Sequence, residues 1–162
     1  MNEAADEQGS GPNVWEKIGF SFVGLIAGNV AQQAVLLAVR VFGPAVGIRL
    51  PASIGPGSIY ETEILSLFIA IFSLLGWAVI GVPSVLVMPL RWFEELPLTL
   101  FFLPGALLGA LAYTCGLLIF GGAADLLLAL KATRYLAMLA ALIASVALVV
   151  FVQMIRSRKR RP

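Results

Sequence analysis

Four long apolar runs, separated by short stretches rich in proline, glycine and charge, dominate this chain: Ile18 to about Phe42, Ile64 to Leu90, Leu98 to Phe120 and Tyr135 to Ile155. A helix rises about 1.5 Å per residue, so roughly 20 residues cross about 30 Å of hydrocarbon, and each run is long enough to do so. The pattern predicts an all-α polytopic membrane protein, a bundle of four transmembrane helices over residues 18–155. An acidic tail, residues 1–17, is expected to be disordered, because Met1 to Asn13 is polar and glycine-rich and buries too little to fold. A basic tail, residues 156–162, follows the last run.

The runs are not equivalent. The first is the least apolar, with Asn29, Gln32 and Gln33 near its middle and Arg40 near its end, and inserts less readily without partner helices. The second opens with ILSLFIAIFSLLGWAVIGV, about 19 residues without a charge, then carries Pro83 and Pro89. A proline inside a helix removes a backbone bond and crowds the preceding turn, which predicts a kink near Gly81 and Pro83. Gly121 and Gly122 are positioned to stop the third run, and the fourth has about 21 residues with no charge.

Between the runs, Gly43 to Tyr60 holds Pro44, Pro51 and Pro56 among glycines and predicts a long loop. Glu61 and Glu63 then stand where the positive end of a helix dipole favours acids, with Thr62 or Ser58 as caps. Arg91 to Pro97 predicts a short interfacial turn beside Trp92. Ala123 to Arg134 sets Leu126, Leu127 and Leu130 on one side at helical spacing, which fits either an interfacial helix or an extension of the last span.

Composition agrees with a lipid solvent: 60% of the 162 residues are hydrophobic and 12% charged, with mean hydropathy +0.96. That leaves too few charges for a soluble shell. The net charge of +2 hides a polarity, with Glu3, Asp6, Glu7 and Glu16 in front and Arg156, Arg158, Lys159, Arg160 and Arg161 behind. The basic end has no interleaved aromatics, so nucleic acid is not an expected partner. No secretory leader is expected either, since Lys17 alone is basic ahead of the first run. Cytoplasmic segments are enriched in Lys and Arg, which puts the C-terminus inside and, after four crossings, the N-terminus too. Lys17 and Arg91 join that side, while Arg40, Arg49, Lys131 and Arg134 fall on the other. The tail serves as a topology anchor, with anionic lipid headgroups as its alternative contact.

Helices already bathed in lipid gain little from apolar contact, so small residues that allow close approach decide how they associate. Gly24 and Gly28 form such a row on the first span, Gly105 and Gly109 on the third, and Ala137, Ala141 and Ser145 on the fourth. Packing within the chain is the first reading of these rows and homo-oligomerisation the second. Asn29, Gln32 and Gln33, three and four apart, read as one polar patch, either for hydrogen bonding between helices or for lining a solute path. Arg40 lies near the same face, where its stem reaches the interface or pairs with Glu61 or Glu63.

Histidine is absent, and there is no CxxC, GxSxG, P-loop or HExxH, so no catalytic residue, cofactor or metal is expected. The lone Cys115 sits in an apolar run and forms no intrachain disulfide. No acid lies within a span to relay protons or sodium. A lipid-active enzyme would have to draw its acid or base from Glu61, Glu63, Glu94, Glu95 or Asp125. Gly81, Val82 and Pro83 followed by Arg91, and GALLGAL from Gly105 to Leu111, resemble a pattern in small multi-pass bacterial inner-membrane proteins of unassigned role. That resemblance, over about a third of the chain, implies a bacterial cell membrane and transfers no functional residue. The expected role is a non-enzymatic accessory or assembly component among membrane lipids with a membrane-protein partner; the alternative is a small transporter or channel subunit.

Overall fold

The computed structural model describes residues 12–47, 59–89, 95–121 and 134–159, with side chains in the second stretch described for 67 and 69–89. The described residues are helical, without a strand. Helix α1 covers Val14–Phe42, α2 Ile59–Gly76, α3 Val82–Val87, α4 Phe102–Gly121 and α5 Arg134–Lys159. A π turn at Trp77–Gly81 joins α2 to α3. Four helical segments are long and apolar enough to cross a membrane: Val14–Val46, Ile69–Val87, Leu98–Ile119 and Arg134–Arg158. The chain is an all-α, four-helix membrane bundle. The side chain of Thr62, the residues Ser58, Arg49, Arg91, Trp92, Glu94, Asp125 and Lys131, and the 123–133 segment lie outside what is described.

Several boundaries differ from the sequence reading: the expected loop over Gly43 to Tyr60 opens with a 3-10 turn at Gly43–Val46, and α2 begins at Ile59, ahead of Ile64. Helix α1 starts at Val14, four residues ahead of Ile18, because Asn13 and Glu16 close a capping box. The Glu16 N–H donates to Asn13 Oδ1 at 2.8 Å, and the Asn13 N–H donates to Glu16 Oε2 at 2.8 Å. Residues 14–17 are therefore helix rather than tail. At the other end α5 continues through Arg156 and Arg158 to Lys159, since both arginines are held by the bundle: Arg156 donates to the Leu96 carbonyl, and Arg158 pairs with Glu16. The latter contact sets the start of α1 beside the end of α5, so these two helix ends lie on one side of the bilayer.

Pro83 sits near the start of α3 and has no N–H to offer the preceding turn. The helix widens there: the Val82 N–H reaches back five residues to the Trp77 carbonyl. Gly81 makes this turn compact, as a Cβ on it would come 3.1 Å from Cδ1 of the Trp77 ring. The irregularity expected of Pro83 takes the form of a π turn on its N-terminal side. At the end of α1, Gly47 closes the short 3-10 extension in the left-handed region, φ 76°, which glycine enters without Cβ strain.

Helix α5 is the axis of the packing, with α1 along one flank and α4 along another; α2 touches α1 and α4 far less extensively. The glycine rows explain why α5 is so closely embraced. A Cβ on Gly24 or Gly28 would fall under 3.0 Å from the carbonyl oxygens of Ala147 or Ile143, and a Cβ on Gly105 would fall 2.5 Å from the Ser145 Cα. Gly109 meets the Ala140 and Ala141 backbone as closely. Both glycine rows thus close on α5 from different sides, and backbones approach to distances no larger residue allows. Ser145 adds a hydrogen bond across the α4 seam, donating to the Phe102 carbonyl at 2.9 Å. The best-buried apolar cluster lies toward the Glu16–Arg158 end, where Phe151 and Val152 of α5 meet Val85 of α3 and Phe101, with Phe20 of α1 packed against them. Phe151 is 1% exposed and Val152 is 0% exposed.

Candidate functional site: a polar seam and groove between α1 and α2

The contacts that fasten α2 to α1 are of a different kind from those around α5. Ser73 of α2 and Asn29 of α1 share a reciprocal pair: Asn29 Nδ2 donates to Ser73 Oγ at 3.0 Å, and Ser73 Oγ lies 3.2 Å from Asn29 Oδ1. Asn29 Nδ2 also reaches its own helix, 3.0 Å from the Leu25 carbonyl. About two turns away, Trp77 Nε1 donates to Ser21 Oγ at 3.1 Å, while Ser21 donates to the Ile18 carbonyl at 2.8 Å. The Trp77 ring meets Phe22 in a tilted pair with centroids 5.3 Å apart. The π turn therefore holds a residue, Trp77, that offers α1 both an aromatic face and an N–H.

Alongside the Asn29–Ser73 clasp, and running past it to Gln33 and Ala70, lies an open groove of about 430 Å³. Phe22, Ile26 and Val30 of α1 and Ala70 and Leu74 of α2 form its walls, with Asn29 and Gln33 as its polar elements. Val30 is 64% exposed and Ile26 50%, so the groove is a surface feature of the bundle. Its lining is apolar apart from the amides of Asn29 and Gln33.

The three polar residues of α1 do not form a single patch. Successive helical residues turn by about 100°, so Asn29 and Gln33 lie about 40° apart while Gln32 falls about 60° to the other side. That difference sends Asn29 to Ser73 and places Gln33 on the exposed groove wall, whereas Gln32 turns inward with Ser21, Gly24 and Gly28 and is 0% exposed. Neither Gln32 Oε1 nor Nε2 has a hydrogen-bond partner among the described residues. Arg40 lies in the last turn of α1, and the side chains of its suggested partners Glu61 and Glu63 lie outside the described residues.

Of the small-residue positions on α5, Ala141 and Ser145 face Gly109 and Gly105 of α4. By that same register Ala137 comes opposite Tyr113, so a large residue takes the place of a third glycine. Facing α1, Ile143 and Ala147 supply the close approach, a second α5 surface that the Ala137 row did not reveal. Ser21, Ser73 and Trp77 were also not singled out in the sequence; only their serine and indole donors on apolar helices signal a need for partners. Among the described residues no group of three His, Cys, Asp or Glu side chains could hold a metal. Glu95, the described member of the five acids considered for lipid chemistry, is exposed. No protein-family model, curated protein or solved structure matches this chain.

Proposed function

We propose that this chain is a non-enzymatic accessory or assembly component of a bacterial inner membrane, with both termini cytoplasmic, and that the α1–α2 groove receives a transmembrane helix of a partner protein. The groove carries the proposal. It sets Phe22, Ile26 and Val30 of α1 opposite Ala70 and Leu74 of α2 along an open cleft on the bundle surface, an apolar recess that a helix can fill by close packing. Helix α2 packs on α1 far less extensively than α5 does, and among the described residues it meets α1 through the Asn29–Ser73 and Ser21–Trp77 hydrogen bonds and the Phe22–Trp77 rings. The cytoplasmic placement rests on the basic residues around and after Arg156, and the bacterial membrane on the resemblance of the Gly81–Pro83 and Gly105–Leu111 stretches.

A photoreactive side chain placed at Val30 or Leu74 in native membranes tests this reading, with Ile119, 75% exposed on α4, as the control. Crosslinks to one membrane protein from the groove positions and none from Ile119 are expected. Crosslinks to lipid alone from all three positions would refute it. A transport or channel role is the second reading, favoured by the buried Gln32 amide at bilayer depth. Cysteines at Asn29, Gln32 and Gln33 that resist water-soluble thiol reagents from both faces would remove it.

A further inference from the structure

The two ends of the chain carry opposite charge. Ahead of Pro12 stand Glu3, Asp6 and Glu7, with no Lys or Arg among those residues. Behind Ile155 come Arg156, Arg158, Lys159, Arg160 and Arg161, with no Asp or Glu. The sequence leaves these groups as far apart as the chain allows, and the bundle brings their attachment points together. Arg158 of α5 pairs with Glu16 of α1. The chain enters α1 through Asn13, which shares the capping box with that same Glu16, and α5 ends at Lys159, next to Arg158. An extended chain covers about 3.3–3.6 Å per residue at most, so Glu7 reaches about 20 Å from Asn13 and Glu3 about 35 Å. The basic run begins beside the salt bridge, well inside that radius.

The charge around the pair favours further acids. Lys17, Arg156, Arg158, Lys159, Arg160 and Arg161 gather at this end of the bundle. The acids among the described residues there are Glu16 and the exposed Glu95, which precedes the Leu96 carbonyl that Arg156 holds. Arg91 and Glu94, in the sequence between, cancel. Glu16 takes one edge of Arg158, whose side chain is still 43% exposed, and a guanidinium carries five N–H donors.

From this we infer that the acidic segment bearing Glu3, Asp6 and Glu7 docks on the basic end of α5, extending the pairing that Glu16 and Arg158 begin. One exposed ion pair is weak. A short tether, however, holds the partners at about millimolar effective concentration, and several pairs act together. The docked acids cover cations that anionic headgroups would otherwise meet, so the segment competes with lipid for this end of the bundle. The contact lies apart from the α1–α2 groove and stands whether or not a partner helix docks there.

Electron spin–spin distances in the full chain test it, with labels at Ala5→Cys and Gln153→Cys in a Cys115→Ala background. Gln153 is exposed on α5, ahead of the basic run. The labelled chain is diluted with unlabelled chain in bilayers that contain anionic phospholipid. At about 0.01 M salt a short, narrow band of distances is expected; at about 1 M, where charges are screened beyond about 3 Å, the band should lengthen and broaden. The combined Glu3→Gln, Asp6→Asn and Glu7→Gln variant should give the broad distribution at low salt. All three acids precede α1, so this variant leaves the glycine seams in place. A distribution that ignores salt, or ignores the triple substitution, overturns the proposal. A narrow band found only in zwitterionic bilayers also overturns it, because lipid headgroups would then hold the basic end.

Discussion

Replacing Gly109 by alanine adds one methyl group to the α4–α5 seam, and the structure sets the consequence. The new Cβ would overlap the Ala140 carbonyl oxygen most closely, and would lie 2.7 Å from the Ala140 carbonyl carbon and 2.8 Å from the Ala141 Cα. Ordinary carbon contact starts near 3.5 Å, so the helices must part by about 0.8 Å, since backbone atoms cannot swing aside as a side-chain tip does. A gap of that size forfeits about a quarter to a half of each contact's roughly 0.1–0.2 kcal/mol. Over some 40 atom pairs along the seam, about the number a buried leucine makes, this is about 1–4 kcal/mol. Alanine's better helix propensity returns about 0.5–1 kcal/mol, which leaves a net loss of about 0–3.5 kcal/mol. Gly28→Ala, which meets the Ile143 carbonyl on the opposite seam, should behave alike. A methyl group added at Gly116 or Gly19 meets nothing within 4 Å, so Gly116→Ala and Gly19→Ala isolate propensity and should leave stability unchanged or raised by up to about 1 kcal/mol. Reversible unfolding in lipid bicelles measures all four. If Gly109→Ala and Gly28→Ala prove as stable as the two controls, the embrace of α5 by glycine rows is refuted.

Other outcomes follow from the same geometry. In a double-mutant cycle, Asn29→Ala and Ser73→Ala should show a coupling of about 0.6 kcal/mol, at most about 1.7, as for hydrogen bonds between membrane helices; zero coupling would mean the clasp does not hold α2. Removing the exposed Glu16–Arg158 pair with Glu16→Gln should cost about 0–1 kcal/mol and lose its effect in high salt, read from the unfolding midpoint with and without salt. Reporters fused to the two termini should respond from the same face of the membrane, and opposite faces would contradict that contact. Pro83→Ala restores a donor N–H, so the π turn should revert to α-helix; the loss of the Trp77–Ser21 hydrogen bond would then appear as a shift in the Trp77 indole NMR signal, and an unmoved signal would separate the turn from the proline.

The chain's own residues determined its spans. Length and hydropathy in four runs suffice, because lipid demands that every backbone polar group be satisfied within a helix, whatever the neighbours are. Gly24, Gly28, Gly105 and Gly109 also announced themselves as close-approach positions, since four-residue spacing sets a row on one helix face. The Asn13–Glu16 capping box, by contrast, falls in residues that the sequence reading assigned to the tail, and it extends α1 beyond the apolar run because a polar cap, not hydropathy, sets where the helix begins. What spacing cannot supply is the azimuth of the neighbouring helix. Only the bundle decided that both glycine rows close on α5, that α5 therefore presents Ile143 and Ala147 to one partner and Ala141 and Ser145 to another, and that Asn29 and Gln33 go to the groove while Gln32 turns inward. A rotation of α1 by about 100°, one residue's worth, would exchange the buried amide for an exposed one at no change in sequence pattern. Packing against α5 fixes that rotation, because the glycines admit its backbone on one face only.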